Sequence, residues 1–196
     1  MTVGPSVLTA AETGRGISVK TDLLYWLTAT PNLALEWPVA PRVSVSATFG
    51  YNAFNFLNRY DSEGQPLNPK LHHWLLMPGG RYWLRAVADG GYVGAHLLGG
   101  QYNAGGVRFP RFLRHHRYEG WGVGAGISYG YRWQFSPAWG MEASVGASYL
   151  YLRYHKYDCG SCGGLVASRH RHAVIPTVSL SVVYRFPTNS TISQIR

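Results

Sequence analysis

"EGWGVGAGISYGYRWQF", residues 119–135, decides the fold. Trp121, Val123, Ala125, Ile127, Tyr129, Tyr131, Trp133 and Phe135 form one file of large side chains. Gly122, Gly124, Gly126, Ser128, Gly130, Arg132 and Gln134 form the other, nearly empty, file. A period of two held this long belongs to a β-strand. In a soluble sheet the small file would face water, where glycine adds no packing and weakens the strand. A small barrel in a bilayer accounts for both files: lipid takes the apolar face, and a narrow interior requires some strands to contribute little volume. Trp121 and Tyr131 are ten residues apart in sequence. That is roughly 33 Å of strand, and about 25 Å along the membrane normal at a tilt of about 40°, the height of the apolar band between aromatic girdles.

The alternation recurs along the chain. Val19, Thr21, Leu23, Tyr25 and Leu27 oppose Ser18, Lys20 and Asp22, giving a strand over 17–27. Leu33, Leu35 and Trp37 alternate with Ala34 and Glu36, and Val43 to Tyr51 alternates with Ser44, Ser46, Thr48 and Gly50. Weaker files run through 73–84 and 91–102, and clear ones through 141–151 and 174–186. With the opening stretch these predict an eight-stranded antiparallel up-and-down transmembrane β-barrel. After the first connection, long and short loops alternate (38–42 short, 53–71 long, 85–90 short, 103–119 long, 136–139 short, 155–172 long). One rim with tight turns and one with long loops is the outer-membrane pattern, with both termini periplasmic and the long loops outside. Pro78 and Pro176 interrupt the files and are expected to sit in bulges.

Composition agrees. The 196 residues suffice for one domain; aromatics reach 14%, charged residues only 14%, and mean hydropathy is −0.12. No apolar run is long enough for a membrane helix, whereas barrel strands hide from hydropathy because alternate residues are polar or small. Residues 1–15 lack the apolar centre of an export signal, so the sequence is expected to begin inside or after one. The barrel is expected over 16–186, with 187–196 as a periplasmic tail.

The net charge of +9 is carried mainly by arginine, clustered with aromatics in the long loops. The loop "RFPRFLRHHRY" at 108–118 gathers Arg108, Arg111, Arg114 and Arg117. Arginine with aromatics also suits single-stranded nucleic acid, but on an outer surface the lipopolysaccharide phosphates are the expected partner, against the bland alternative of a solvated basic loop. Inward positions carry Lys20, Asp22, Glu36, Arg81, His96, Arg132, Glu142 and Arg185, with Leu24, Trp26 and Trp83 among them. Buried charges persist when paired, so an ion-pair network closing the lumen is expected, with a gated pore or polar relay as the functional alternative. Acid–base chemistry by Glu142 with His96 would need solute access that the pattern does not supply.

"CGSC" at 159–162 precedes His170 and His172. Cys159, Cys162, His170 and His172 could form a zinc site, but the spacing is shorter than in finger motifs; an oxidising surface favours a Cys159–Cys162 disulfide. Lipid-modifying barrel enzymes place a serine, a histidine and a carboxylate near the outer rim, and Ser148, His155 and Glu119 are the candidates here, at undiagnostic spacing.

"VKTDLLYWLTATPNLALEW", "HHWLLMPGGRYWL", "GAHLLGGQYN", "RYEGWGVGAGISYGYRW" and "YDCGSCGG" resemble a family of small outer-membrane proteins of Gram-negative gut and oral anaerobes, catalogued as a domain of unknown function. The resemblance spans residues 18–186 and implies a β-barrel in the outer membrane; it implies no reaction. One departure is that "PTNSTISQIR" follows "YRF", leaving the expected terminal aromatic ten residues in, at Phe186. The expected protein is thus a barrel without catalysis or cofactor, structural or accessory to a larger outer-membrane complex. It would contact outer-membrane lipid, lipopolysaccharide and other membrane proteins. A lipid A or phospholipid-modifying enzyme and a narrow channel are the alternatives.

Overall fold

Alternating sequences become long strands. A computed structural model describes residues 16–55, 60, 64, 69–106, 113, 116–157 and 163–186. The strands are β1 (Ser18–Asp22), β2 (Asn32–Ala40), β3 (Val43–Asn55), β4 (Lys70–Trp83), β5 (Gly90–Gly105), β6 (Arg117–Gln134), β7 (Trp139–Tyr157) and β8 (Leu165–Arg185). Each pairs antiparallel with its neighbour in sequence, and β1 pairs with β8, closing the ring.

The barrel is inside-out relative to a soluble protein. Ile127, Leu97, Val145, Val174 and Val178 are all more than half exposed on its outer face. Arg132, Glu36 and Glu142 are almost wholly buried inside. Aromatics lie at both ends of the outer face: Trp74 and Trp121 towards the long loops, Tyr82, Tyr131, Trp133, Trp139 and Tyr184 towards the tight turns.

The first strand departs from the sequence expectation of 17–27. It stops at Asp22, and Leu23–Leu27 form a one-turn helix, α1. The Asp22 carboxylate accepts from the backbone N–H of Leu24 at 2.8 Å, capping the helix. Asn32 finishes the strand: its Oδ1 accepts from the Asp22 N–H at 2.7 Å, and its Nδ2 donates to the Asp22 carbonyl. Side-chain bonds thus replace the ladder, and the period of two in "TDLLYWL" does not continue as strand. Trp26 is exposed, donating to Thr21 Oγ1, and does not fill the lumen.

The proline bulges expected at 78 and 176 are absent. The register of β8 on β7 is unbroken through Ala147↔Pro176, and that of β4 on β3 through Ala47↔Pro78. The physical reason is the direction of the missing donor. In β8, Phe186 donates towards β1 and Arg185 towards the β7 side, so even-numbered residues point at the β1 side. There β1 has already ended, since its pairing with β8 stops at Asp22↔Ser181. Pro176 therefore removes no ladder bond. In β4, Leu84 donates to Gly91, placing even residues on the β5 side, and Met77 and Pro78 are the positions unpaired there. Register shifts lie instead at Pro38/Ala40 and Lys156/Tyr157. The last long connection is also shorter than 155–172, because β7 runs to Tyr157 and β8 starts at Leu165.

Candidate functional site

The lumen near the tight-turn rim is filled by a charged cluster. Lys20 (β1), Glu36 (β2), Arg81 (β4), Arg132 (β6) and Glu142 (β7) point inward from five strands. Arg132 and Glu142 are direct cross-strand partners. Arg81 Nη1 donates to both Glu142 oxygens, at 2.8 and 2.9 Å, and to Glu36 at 3.3 Å. Arg132 donates through Nε to Glu142 at 2.9 Å and through Nη2 to Glu36 at 2.6 Å. Lys20 Nζ lies 3.2 Å from both carboxylates. Among the described residues, three cations therefore clamp two carboxylates in a space from which water is largely excluded.

Neutral side chains complete the cluster. Tyr92 donates to Glu142 at 2.9 Å, Ser44 donates to Glu36 at 2.7 Å, and Trp83 Nε1 donates to Ser44 Oγ at 2.9 Å. The Arg81 guanidinium lies 4.5 Å from the Tyr92 ring centre, and that of Arg132 lies 4.8 Å from Trp83. Gly130 makes the arrangement possible, because a Cβ there would collide with the Tyr92 ring. Below the charges, Trp83 and Tyr92 pack with Val87 and Ala88 of the 84–89 turn. That turn crosses towards its neighbours: Val87 donates to the Pro41 carbonyl, and Arg185 donates to that of Ala88. The chemistry available is a closed ion-pair array in which Arg132 Nη1 finds no hydrogen-bond partner among the described residues.

Two residues expected in this network are placed otherwise. Asp22 caps α1, as above, and Arg185 sits at the turn, also donating to Gln134 Oε1 at 3.2 Å. Ser44, Trp83 and Tyr92 were not legible as members. Trp83 appeared only as bulk, although its indole N–H needs a buried acceptor and was a usable signal.

The candidate catalytic residues do not assemble as expected. Glu119 and His155 pair across β6 and β7 on the outer face, while Ser148 is buried on the inner face of β7. Odd and even positions of one strand lie on opposite sides of the wall, so the Ser148–His155–Glu119 set cannot converge. Ser148 instead meets His96, with Oγ and Nε2 2.9 Å apart. They reach each other over Gly126, which is the residue paired with both. Glu142 is engaged by three cations and Tyr92 rather than by His96. Cys159 and Cys162 lie outside the described residues, as do Arg108, Arg111 and Arg114; Arg117 opens β6. His170 and His172 stand on the outer face of β8, on strand rather than loop, His170 stacked against Tyr151 and His172 tilted against Tyr149. No group of three metal-ligating side chains converges among the described residues.

The chain belongs to the DUF3575 family of proteins of unknown function, whose profile matches residues 2–186. No curated protein matches it. Among solved structures, the crystal structure of the N-terminal β-barrel domain of Pseudomonas aeruginosa OprF is similar in fold. That similarity has 13% identity and a TM-score of 0.48, covering 88% of this chain and 98% of that one.

Proposed function

We propose that this protein is a sealed outer-membrane barrel without catalytic activity, acting as an accessory or structural subunit at the cell surface. The observation that carries the reading is the combination of an apolar outer face with a lumen locked by Lys20, Arg81, Arg132, Glu36 and Glu142. Lipid solvates such an exterior, and a paired, buried charge array leaves no continuous water path. The basic loop at 108–117 would contact lipopolysaccharide phosphates. A shallow groove at Ala95, Ala125 and Ala147 on the lipid side, flanked by Leu97 and Ile127, offers a neighbouring barrel close approach.

The test is purification from native membranes in mild detergent, followed by reconstitution in planar bilayers. The expected result is a heat-modifiable membrane protein that co-purifies with a partner and conducts no ions. A folded monomer soluble without detergent would end the membrane reading, and stepwise conductance would end the sealed one. The His96–Ser148 contact favours a second reading, lipid hydrolysis. Release of fatty acid that disappears in Ser148→Ala would establish it against the first.

A further inference from the structure

We infer that the outer-facing row His72, Asn103, Glu119 and His155 binds the sugar headgroup of an outer-leaflet glycolipid. The inference rests on the membrane placement proposed above and gives it a specific ligand.

The row is set by strand register. His72 of β4 pairs with Asn103 of β5, Asn103 with Glu119 of β6, and Glu119 with His155 of β7. All four alternate outward with the lipid-facing files. His72 Nε2, Asn103 Oδ1 and His155 Nδ1 are shielded from solvent and find no hydrogen-bond partner among the described residues. An unpartnered buried polar atom costs about 1–3 kcal/mol, so three on one row point to a partner that supplies the bonds. Glu119, exposed between them, adds a carboxylate. One row further out, Arg117 Nε is in the same condition.

The row borders a groove of about 420 Å³ whose walls include Tyr51, Trp74, Trp121 and Tyr157. Trp74 is held by Gln101, its Nε1 donating to Oε1 at 3.3 Å. Flat aromatic faces suit the C–H faces of a pyranose ring, while Asn, Glu and His accept from and donate to its hydroxyls. Spacing excludes a metal ion. Four strands at about 4.8 Å spread the row over roughly 14 Å, the length of a small oligosaccharide rather than a coordination sphere. Position excludes acyl chains as the main contact. The row lies two residues beyond Trp74 and Trp121, where the outer girdle gives way to headgroups, and Leu76 and Val123 lie on the tail side. Arg117, with Arg153 beside Trp121, stands ready for phosphates carried on such sugars.

The experiment titrates the full-length protein in nanodiscs with three probes: purified lipopolysaccharide, the oligosaccharide released from it, and phosphatidylglycerol. Binding is read by native mass spectrometry for wild type and for the double variant N103A/E119A. At about fivefold per lost hydrogen bond, the double variant is expected to weaken lipopolysaccharide binding roughly twenty-fivefold. The free oligosaccharide should compete and lose affinity in the same variant. Phosphatidylglycerol, which offers charge without sugar rings, should bind more weakly than lipopolysaccharide and be indifferent to the variant. Lipopolysaccharide affinity unchanged within about twofold in the double variant, or phosphatidylglycerol bound as tightly as lipopolysaccharide, overturns the inference. A protein that enters nanodiscs and stays non-conducting while failing these arms removes this inference alone; a protein that does not insert removes the membrane reading with it.

Discussion

Glu142→Gln is the sharpest perturbation of the lumen. In the wild type, Glu142 receives Lys20, Arg81, Arg132 and Tyr92, and among the described residues only Glu36 shares the neutralisation of the three cations. The amide preserves shape but removes the charge, and its NH2 group must face donors. Two buried guanidinium groups and an ammonium are then left with one carboxylate. Breaking a buried ion pair from one side costs about 3–5 kcal/mol, because the partner charge stays desolvated and unmatched. That is about two to four orders of magnitude in the folding equilibrium. The assay is urea unfolding in detergent micelles, followed by tryptophan fluorescence, with Glu119→Gln as the exposed control expected to stay within about 0.5 kcal/mol. A second variant tests the cause. Adding Lys20→Met to Glu142→Gln removes one buried cation along with the anion and should recover part of the loss, a favourable coupling of about 0.5–3 kcal/mol. A loss for Glu142→Gln no larger than for the control, or strict additivity with Lys20→Met, would refute charge matching as the reason the lumen holds together.

Two further substitutions separate the faces of the β6 wall. Ile127→Arg, on an outward position that is 68% exposed, should cost about 2–4 kcal/mol in a bilayer, and Ile127→Leu almost nothing. Equal unfolding midpoints for the two in vesicles would count against lipid on that face. Gly126→Ala should cost about 1–3 kcal/mol, because the added Cβ would sit 2.5 Å from His96 Nε2 and 2.8 Å from the Ala147 carbonyl oxygen. A neutral result in the same assay would mean that His96 and Ser148 are free to separate.

What could be read from the sequence depended on which property carries the information. Strand period is a local property, so the long files of β6, β7 and β8 were legible without any neighbour. The end of β1 is not local. "TDLLYWL" satisfies the period of two as well as "TDLL" alone would, and only the Asn32 side chain, ten residues later, terminates the ladder at Asp22. The prolines show the same dependence. Whether Pro176 forces a bulge depends on what lies across the strand from it, and its donor position faces β1 only in name, because β1 is too short to reach it. A proline is tolerated where a neighbour is missing, and the missing neighbour is set by a residue some 150 positions away in the chain.

The site followed the same logic. Inward charges could be found by alternation, and Lys20, Glu36, Arg81, Arg132 and Glu142 do meet. Alternation assigns a face but not a height, and height separates Asp22 and Arg185 from the array. The Ser148–His155–Glu119 grouping failed on the face itself: 148 and 155 differ by an odd number, which places them on opposite sides of any uninterrupted strand. That test needed no structure. The same parity brings Ser148 to His96 across Gly126, and it puts His72, Asn103, Glu119 and His155 on one outer row once the register is known. In a barrel, then, parity fixes which side of the wall a residue serves, and register fixes whom it meets. Polar chemistry on the outward parity is therefore the more informative exception, since the proposed membrane placement already accounts for apolar residues there.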